Sequence, residues 1–234
     1  ILRKLFPSIN FTEKSVVLTV KRSKHKVRLQ LEINKEFAYF IGLILGDGSL
    51  AGTKSMDRGG WRILFCGADE AFMKNYISMV SRLFGIEAHL RRVIRRDGRS
   101  YFEAVFASKV VHRLLTNVFD IPAGRKCDKI RAPDILLSLP VEIQTSFLRG
   151  LFDTDGSISR GEIKFATTSR SLCKDISTEL EKLGFSPRVY SWSKGKYLEL
   201  FEIRLAKKAD TRKFCHLIGS SHPRKAILLE RAIN

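Results

Sequence analysis

The feature that most limits how this chain can fold is an internal duplication. FIGLILGDGSL (residues 40–50) returns as FLRGLFDTDGSI (residues 147–158). Gly42, Leu43, Asp47 and Gly48 are matched by Gly150, Leu151, Asp155 and Gly156, each pair 108 positions apart. ILFCGADEAFMKNYISMVSRLFGI (63–86) then resembles IKFATTSRSLCKDISTELEKLGF (163–185) at an offset near 100, so the loop after the first motif is the longer one. Each copy continues through a strand-like run, a polar turn, a second strand and a closing helix. These are IEAHLRRVI, a turn holding Asp97-Gly98, and YFEAVFAS in the first copy, and SPRVYSW, SKGK and YLELFEIRL in the second. A chain of this pattern is two copies of one α+β unit. The expected organisation is a basic N-terminal hairpin extension over 1–33, a first unit over 34–118, a Gly/Pro-marked linker over 119–139, and a second unit with a C-terminal helix over 140–234.

Each motif reads as a helix ending in an aspartate. Asn34 is placed to cap the first, whose apolar faces come from Phe37, Phe40, Ile41, Ile44 and Leu45, and Pro140 stands near the start of the second. Both helices run into Asp-Gly, and Gly48 and Gly156 are expected to take the positive φ that ends a helix. A carboxylate at the negative end of a helix dipole is disfavoured unless a cation joins it. Gly42 with Gly46, and Gly150 with Thr154, form stripes of small residues that allow two helix backbones to pack closely. Packed in parallel, they would bring Asp47 and Asp155 together as an oxygen-only site suited to Mg²⁺. An EF-hand is excluded, since Leu151 stands where its first acidic ligand belongs and Lys54 replaces the closing glutamate of the other copy.

The charge balance narrows the partner. Lys and Arg number 42 against 24 Asp and Glu, a net charge of +18, which favours a polyanion, and nucleic acid before lipid. No apolar run approaches the roughly 20 residues of a spanning helix. The four cysteines, Cys66, Cys127, Cys173 and Cys215, show no CxxC pairing and read as reduced, mostly buried thiols of a cytoplasmic protein, or of an organelle matrix if organelle-encoded. Cys215, His216 and His222 lack a fourth ligand for a metal site. Strand alternation sends His89, Arg91 and Arg95 to one face of the first hairpin and Arg188, Tyr190 and Trp192 to one face of the second. With Lys54, Arg58, Arg62, Lys164 and Arg204, these form the expected surface for double-stranded DNA.

Taken with their surroundings over roughly residues 34–217, the paired motifs resemble those of the LAGLIDADG homing endonucleases, in the single-chain type with two motifs. The resemblance implies two αββαββα units related by a pseudo-twofold axis, motif helices at the interface, and antiparallel sheets forming a DNA-binding saddle. It implies that Asp47 and Asp155 bind the metal, with the carbonyls of Gly46 and Thr154 as further ligands. It also implies Mg²⁺-dependent hydrolysis of one phosphodiester on each strand by a monomer, leaving staggered ends, with Mn²⁺ or Ca²⁺ able to occupy the same positions. Such enzymes place a Gln or Lys near the end of the strand after the motif, where this chain has Cys66-Gly67-Ala68 and Ala166-Thr167-Thr168. Lys109, Lys164 and Lys207 are then the candidates for the basic helper. Two other uses of the fold stay open: an intron RNA maturase and a non-cleaving DNA-binding regulator. The resemblance implies an intron-encoded enzyme; an intein origin stays open beside it, although neither a nucleophile at residue 1 nor a terminal His-Asn supports self-splicing.

Overall fold

The computed structural model describes residues 15–19, 26–30, 32–52, 60–193, 195 and 197–233. The chain divides into two compact units, residues 1–37 with 48–124 and residues 38–47 with 125–234. The expected boundaries shift for one physical reason: the first motif helix packs on the second. Residues 38–47 therefore join the second unit, and the supposed linker splits, 119–124 belonging to the first unit and 125–139 to the second.

In the first unit, β1 (Ser15–Thr19) and β2 (Lys26–Gln30) form an antiparallel hairpin. Helix α1 (Lys35–Gly46) starts where the Asn34 side chain accepts from the Phe37 N–H at 2.8 Å, the expected cap. The unit continues through β3 (Gly48–Leu50), β4 (Arg62–Gly67), α2 (Glu70–Phe84), β5 (His89–Ile94), β6 (Ser100–Ala107) and α3 (Lys109–Asn117). Its sheet has the order β3-β4-β6-β5, antiparallel throughout. One sheet face carries Phe65, Ala104 and Phe106 into a core where Phe65 stacks on Tyr76, ring centroids 4.3 Å apart. Gly98, at φ +80, closes the β5–β6 turn, as Asp97-Gly98 predicts.

The second unit repeats the plan. After α4 (Asp134–Leu137) come α5 (Val141–Asp155), β7 (Gly156–Ser159), β8 (Glu162–Thr167), α6 (Arg170–Lys182), β9 (Arg188–Trp192), β10 (Leu200–Leu205) and α7 (Lys208–Leu217), and α8 (Pro223–Ile233) follows. The sheet order is β7-β8-β10-β9, the counterpart of the first. Its core is a ring cluster of Phe152, Phe165 and Phe214, with Phe152 and Phe214 centroids 4.8 Å apart. Repeated halves with antiparallel sheets match the α+β reading. The short strands after each motif helix escape residue-by-residue inspection because three or four residues carry too little alternation.

Within the second unit, α1 and α5 meet backbone to backbone. A Cβ on Gly42 would lie 2.3 Å from the Phe147 carbonyl oxygen and 2.9 Å from the Gly150 Cα, and a Cβ on Gly150 would meet the Tyr39 carbonyl oxygen at 2.3 Å. Gly46 stands equally close to Thr154. Partners rise together along both helices, so the helices run in parallel. The glycines ending the motifs act differently from expectation. Gly156 has extended backbone, φ −85°, and Gly48 is not among the residues of positive φ. Gly156 is needed because a side chain there would strike the Phe152 ring at 2.2 Å. The cysteines also depart from expectation: all four are free thiols, but Cys173 is buried and Cys127 exposed.

Gly42→Ala and Gly150→Ala must push backbone from backbone, which no rotamer change relieves. Each should destabilise the second unit by about 2–3 kcal/mol in a urea titration. A midpoint unchanged from wild type would contradict the close contact.

Candidate active site

Both motif acids stand at C-terminal helix ends in the second unit. Asp155 is the last residue of α5, and Asp47 follows α1, its N–H donating to the Leu43 carbonyl at 3.1 Å. The parallel packing of α1 on α5 sets them beside each other closely enough that the Asp47 charge raises the pKa of Asp155. Two lysines complete the arrangement. Lys126 Nζ donates to the carbonyls of Ile44, Leu45 and Gly46 at 2.6–2.7 Å. Lys225 Nζ donates to those of Phe152, Asp153 and Thr154 at 2.7–3.1 Å. Each ammonium thus satisfies the orphan carbonyls of one motif helix, at the end where the dipole favours positive charge.

The four groups titrate as a cluster. Burial raises Asp155 to about 7, reinforced by Asp47 and opposed by Lys126 and Lys225. Burial also raises Asp47, which keeps a solvent-facing edge, and the same two lysines pull it back. Lys126 is lowered to about 8 by burial, against the pull of Asp155 and Asp47. Lys225 is lowered by burial, against Asp153, Asp47 and Asp155. Carboxylates that resist ionisation for lack of solvent regain their charge beside a cation, and the donors here are all oxygen, so a hard divalent ion fits the pair. The carbonyls of Gly46 and Thr154, expected as further ligands, each accept an N–H from one of the lysines. Among the described residues, no group of three or more His, Cys, Asp or Glu is arranged to hold a metal ion.

The expected basic helpers lie elsewhere. Lys109 sits over the Trp61 ring, 5.2 Å from its centroid; Lys164 pairs with Glu162 at 3.6 Å; Lys207 donates to the Ser186 hydroxyl at 2.9 Å. Lys126 and Lys225 were overlooked because one falls in the apparent linker and the other in the terminal helix. Their signal is visible afterwards: PAGRK and HPRK both place Arg-Lys shortly after proline, 99 positions apart, continuing the offset of the duplication.

The sheet of the second unit carries a cross-strand row of cations. Arg188 pairs in register with Arg204, and Arg204 with Lys164. The Arg204 guanidinium also lies over the Tyr190 ring, at 4.6 Å, and bonds Glu202. Tyr190 and Trp192, on the same face as Arg188, are 40% and 44% exposed. Like charges directly opposed destabilise a sheet unless an anion lies across them. In the first unit Arg91 is engaged by Glu103, Arg95 covers the Tyr101 ring at 5.0 Å, and His89 and Arg62 are exposed. Ile94, the last residue of β5, is 70% exposed. Lys54 and Arg58 lie outside the described residues.

Comparison with known proteins bears on this arrangement. Residues 142–219 match the LAGLIDADG-like domain. The chain is 26% identical over 156 residues to elongation factor 2 of Methanopyrus kandleri, and 25% identical over 197 residues to the replication factor C small subunit of Methanocaldococcus jannaschii. Those alignments take in 66% and 83% of this chain but 11% and 10% of the relatives, so it spans about a tenth of their length. It is 27% identical over 162 residues to homing endonuclease I-ApeI of Aeropyrum pernix, covering 65% of this chain and 71% of that protein. Among solved structures, I-DmoI in complex with DNA and Mn superposes with a TM-score of 0.59 at 20% identity, over 82% of this chain and 99% of that one. That likeness establishes the fold.

The raised pKa of Asp155 makes a test that needs no substrate. An acid whose folded pKa lies above its unfolded one costs stability as pH rises through the window between them, here from about 4 to about 7. In metal-free buffer, Asp155→Asn should match wild type near pH 3, below both pKa values. Near pH 8 it should exceed wild type by roughly 1–3 kcal/mol, allowing for screening at a half-buried group. Equal stability at both pH values would refute the clustering.

Proposed function

From a chain that carries a LAGLIDADG-like domain and has the two-repeat fold of the single-chain homing endonucleases, we propose a site-specific endonuclease that hydrolyses one phosphodiester in each strand of double-stranded DNA and acts as a monomer. One observation carries the reading: two carboxylates at adjacent parallel helix ends, each helix end also holding a lysine. A non-cleaving regulator or an RNA maturase has no need to gather two acids and two ammonium groups at one point.

Asp47 and Asp155 would hold Mg²⁺ through their carboxylates, with Mn²⁺ or Ca²⁺ able to replace it. When bound, a divalent cation supplies an activated water and neutralises charge on the departing 3′-oxygen. Lys126 and Lys225, whose N–H groups are held by the helix carbonyls, would place positive charge beside the acids and so favour the negative charge that builds on each phosphate during attack. Cuts made by two such half-sites on opposite strands would leave staggered ends. Arg188, Arg204 and Lys164 line up across one sheet as phosphate or base-edge contacts, and Tyr190 and Trp192 add apolar surface beside them.

The relatives favour one genetic setting. An elongation factor and a replication factor subunit share no activity by name, yet each matches this chain over about a tenth of its length. We read the shared segment as a module carried inside longer host proteins, the intein setting rather than the intron one. An open reading frame continuing through both flanks into a host protein would support this, and flanking intron boundaries would overturn it.

Two measurements test the activity. On a plasmid bearing the uninterrupted host junction, wild type with Mg²⁺ should produce linear DNA. Asp47→Asn and Asp155→Asn should keep DNA binding and lose cutting by at least about a hundredfold. Lys126→Met and Lys225→Met should each accumulate nicked circles, cut in opposite strands. Affinity should fall steeply with salt, and Arg188→Ala with Arg204→Ala should flatten the log–log slope by about 2 if both meet phosphates. Wild-type cutting by either acid variant, or an unchanged slope, would contradict the assignment.

A further inference from the structure

The acid at position 153 is absent from the scheme above, yet it is buried and fully engaged. Asp153 is 3% exposed on α5, facing away from the pair of acids toward the segment that follows α7. One carboxylate oxygen accepts from the Tyr39 hydroxyl at 2.7 Å and from the Ser221 N–H at 2.9 Å, while the other accepts from the Ser220 hydroxyl. One turn earlier on α5, Arg149 donates to the Ile218 carbonyl at 2.5 Å. The segment 218–221 is thereby pinned to α5 at three points. Helix α8 starts two residues later, at Pro223, and its third residue is Lys225.

The duplication supplies an internal control. Exchanging the two copies turns Tyr39 and Asp153 into Phe147 and Leu45, both buried and neither with a polar side chain. The equivalent positions are thus polar in one pairing and apolar and buried in the other, so packing α1 on α5 does not need a carboxylate. A buried acid costs more than a leucine unless its bonds serve something else. What differs beside it is the lysine-bearing element, a short helix leaving a turn, which the Asp153 bonds hold in place.

We propose that Asp153 is a positioning residue for Lys225: through Ser220 and Ser221 it sets the start of α8 so that the ammonium reaches the carbonyl end of α5. Asp153 touches neither substrate nor metal in this scheme. Leu45 can do nothing comparable for Lys126, so only one of the two half-sites depends on such an anchor. The consequence for cleavage rests on the nuclease reading, whereas the consequence for Lys225 does not.

The test uses Asp153→Asn, the pair Tyr39→Phe with Asp153→Leu that copies the first repeat's chemistry, and the milder Ser220→Ala. Reductive methylation with formaldehyde and cyanoborohydride, read by peptide mass spectrometry, reports the accessibility of each amine. Lys225 should be labelled about tenfold faster in the Asp153 variants, and faster to a smaller degree in Ser220→Ala, while Lys126 stays at its wild-type rate. On supercoiled target plasmid, the Asp153 variants should accumulate circles nicked in the strand that Lys225→Met also nicks. Unchanged Lys225 labelling in folded variants overturns the proposal, as does equal slowing of both strands or nicking in the Lys126→Met pattern. If wild type cuts nothing, the nuclease reading fails, and the labelling still decides the role of Asp153.

Discussion

Everything at the candidate site depends on two helices touching without side chains between them. Gly42 against Gly150 brings α1 and α5 to backbone contact in parallel, and Gly46 makes room for the Thr154 side chain, so that their carbonyl ends finish side by side. That geometry gathers two sets of unpaired carbonyls and two acids, a concentration of negative potential no apolar core tolerates alone. Lys126 and Lys225 answer it, one for each helix end. Their depressed pKa values and the raised values of the acids are two sides of one burial.

The duplication is not mirrored residue for residue, and the differences carry information. Apolar Leu45 and Phe147 occupy the positions where the second copy and its partner use Asp153 and Tyr39. Lys126 comes from the segment joining the repeats, Lys225 from a helix appended after the last one. Two chemically matched half-sites are reached by different supporting structures, which a single chain allows because each copy varies by itself. The register row Arg188, Arg204 and Lys164 of the second sheet corresponds to His89, Val105 and Leu64 in the first, which carries no such line of cations.

Much of this was legible in the residues. The duplication, the Asn34 cap, the glycine stripes and the two terminal acids all follow from local spacing, and the structure places them as that spacing predicts. The role of Gly48 and Gly156 was misread because an Asp-Gly pair after a helix has two uses, a left-handed turn or a close approach, and only the Phe152 ring decides between them. The compact units cut across the repeats because the first motif helix packs on the second, a contact that local spacing does not encode. Lys109, Lys164 and Lys207 were reasonable basic candidates that Trp61, Glu162 and Ser186 engage instead.

The sequence by itself determined what is periodic or repeated: two α+β units, two acids in matching positions, and a surplus of positive charge calling for a polyanion. Those properties are local, since helix stripes, strand alternation and net charge need no knowledge of what lies across the core. Only the tertiary structure decided which lysines serve the acids, because Lys126 and Lys225 lie about 80 and 70 positions from the carbonyls they cap. It alone revealed that Asp153 ties Tyr39 and the Ser220–Ser221 turn together. Contacts over such distances depend on how helices cross, and no spacing rule within one segment encodes that.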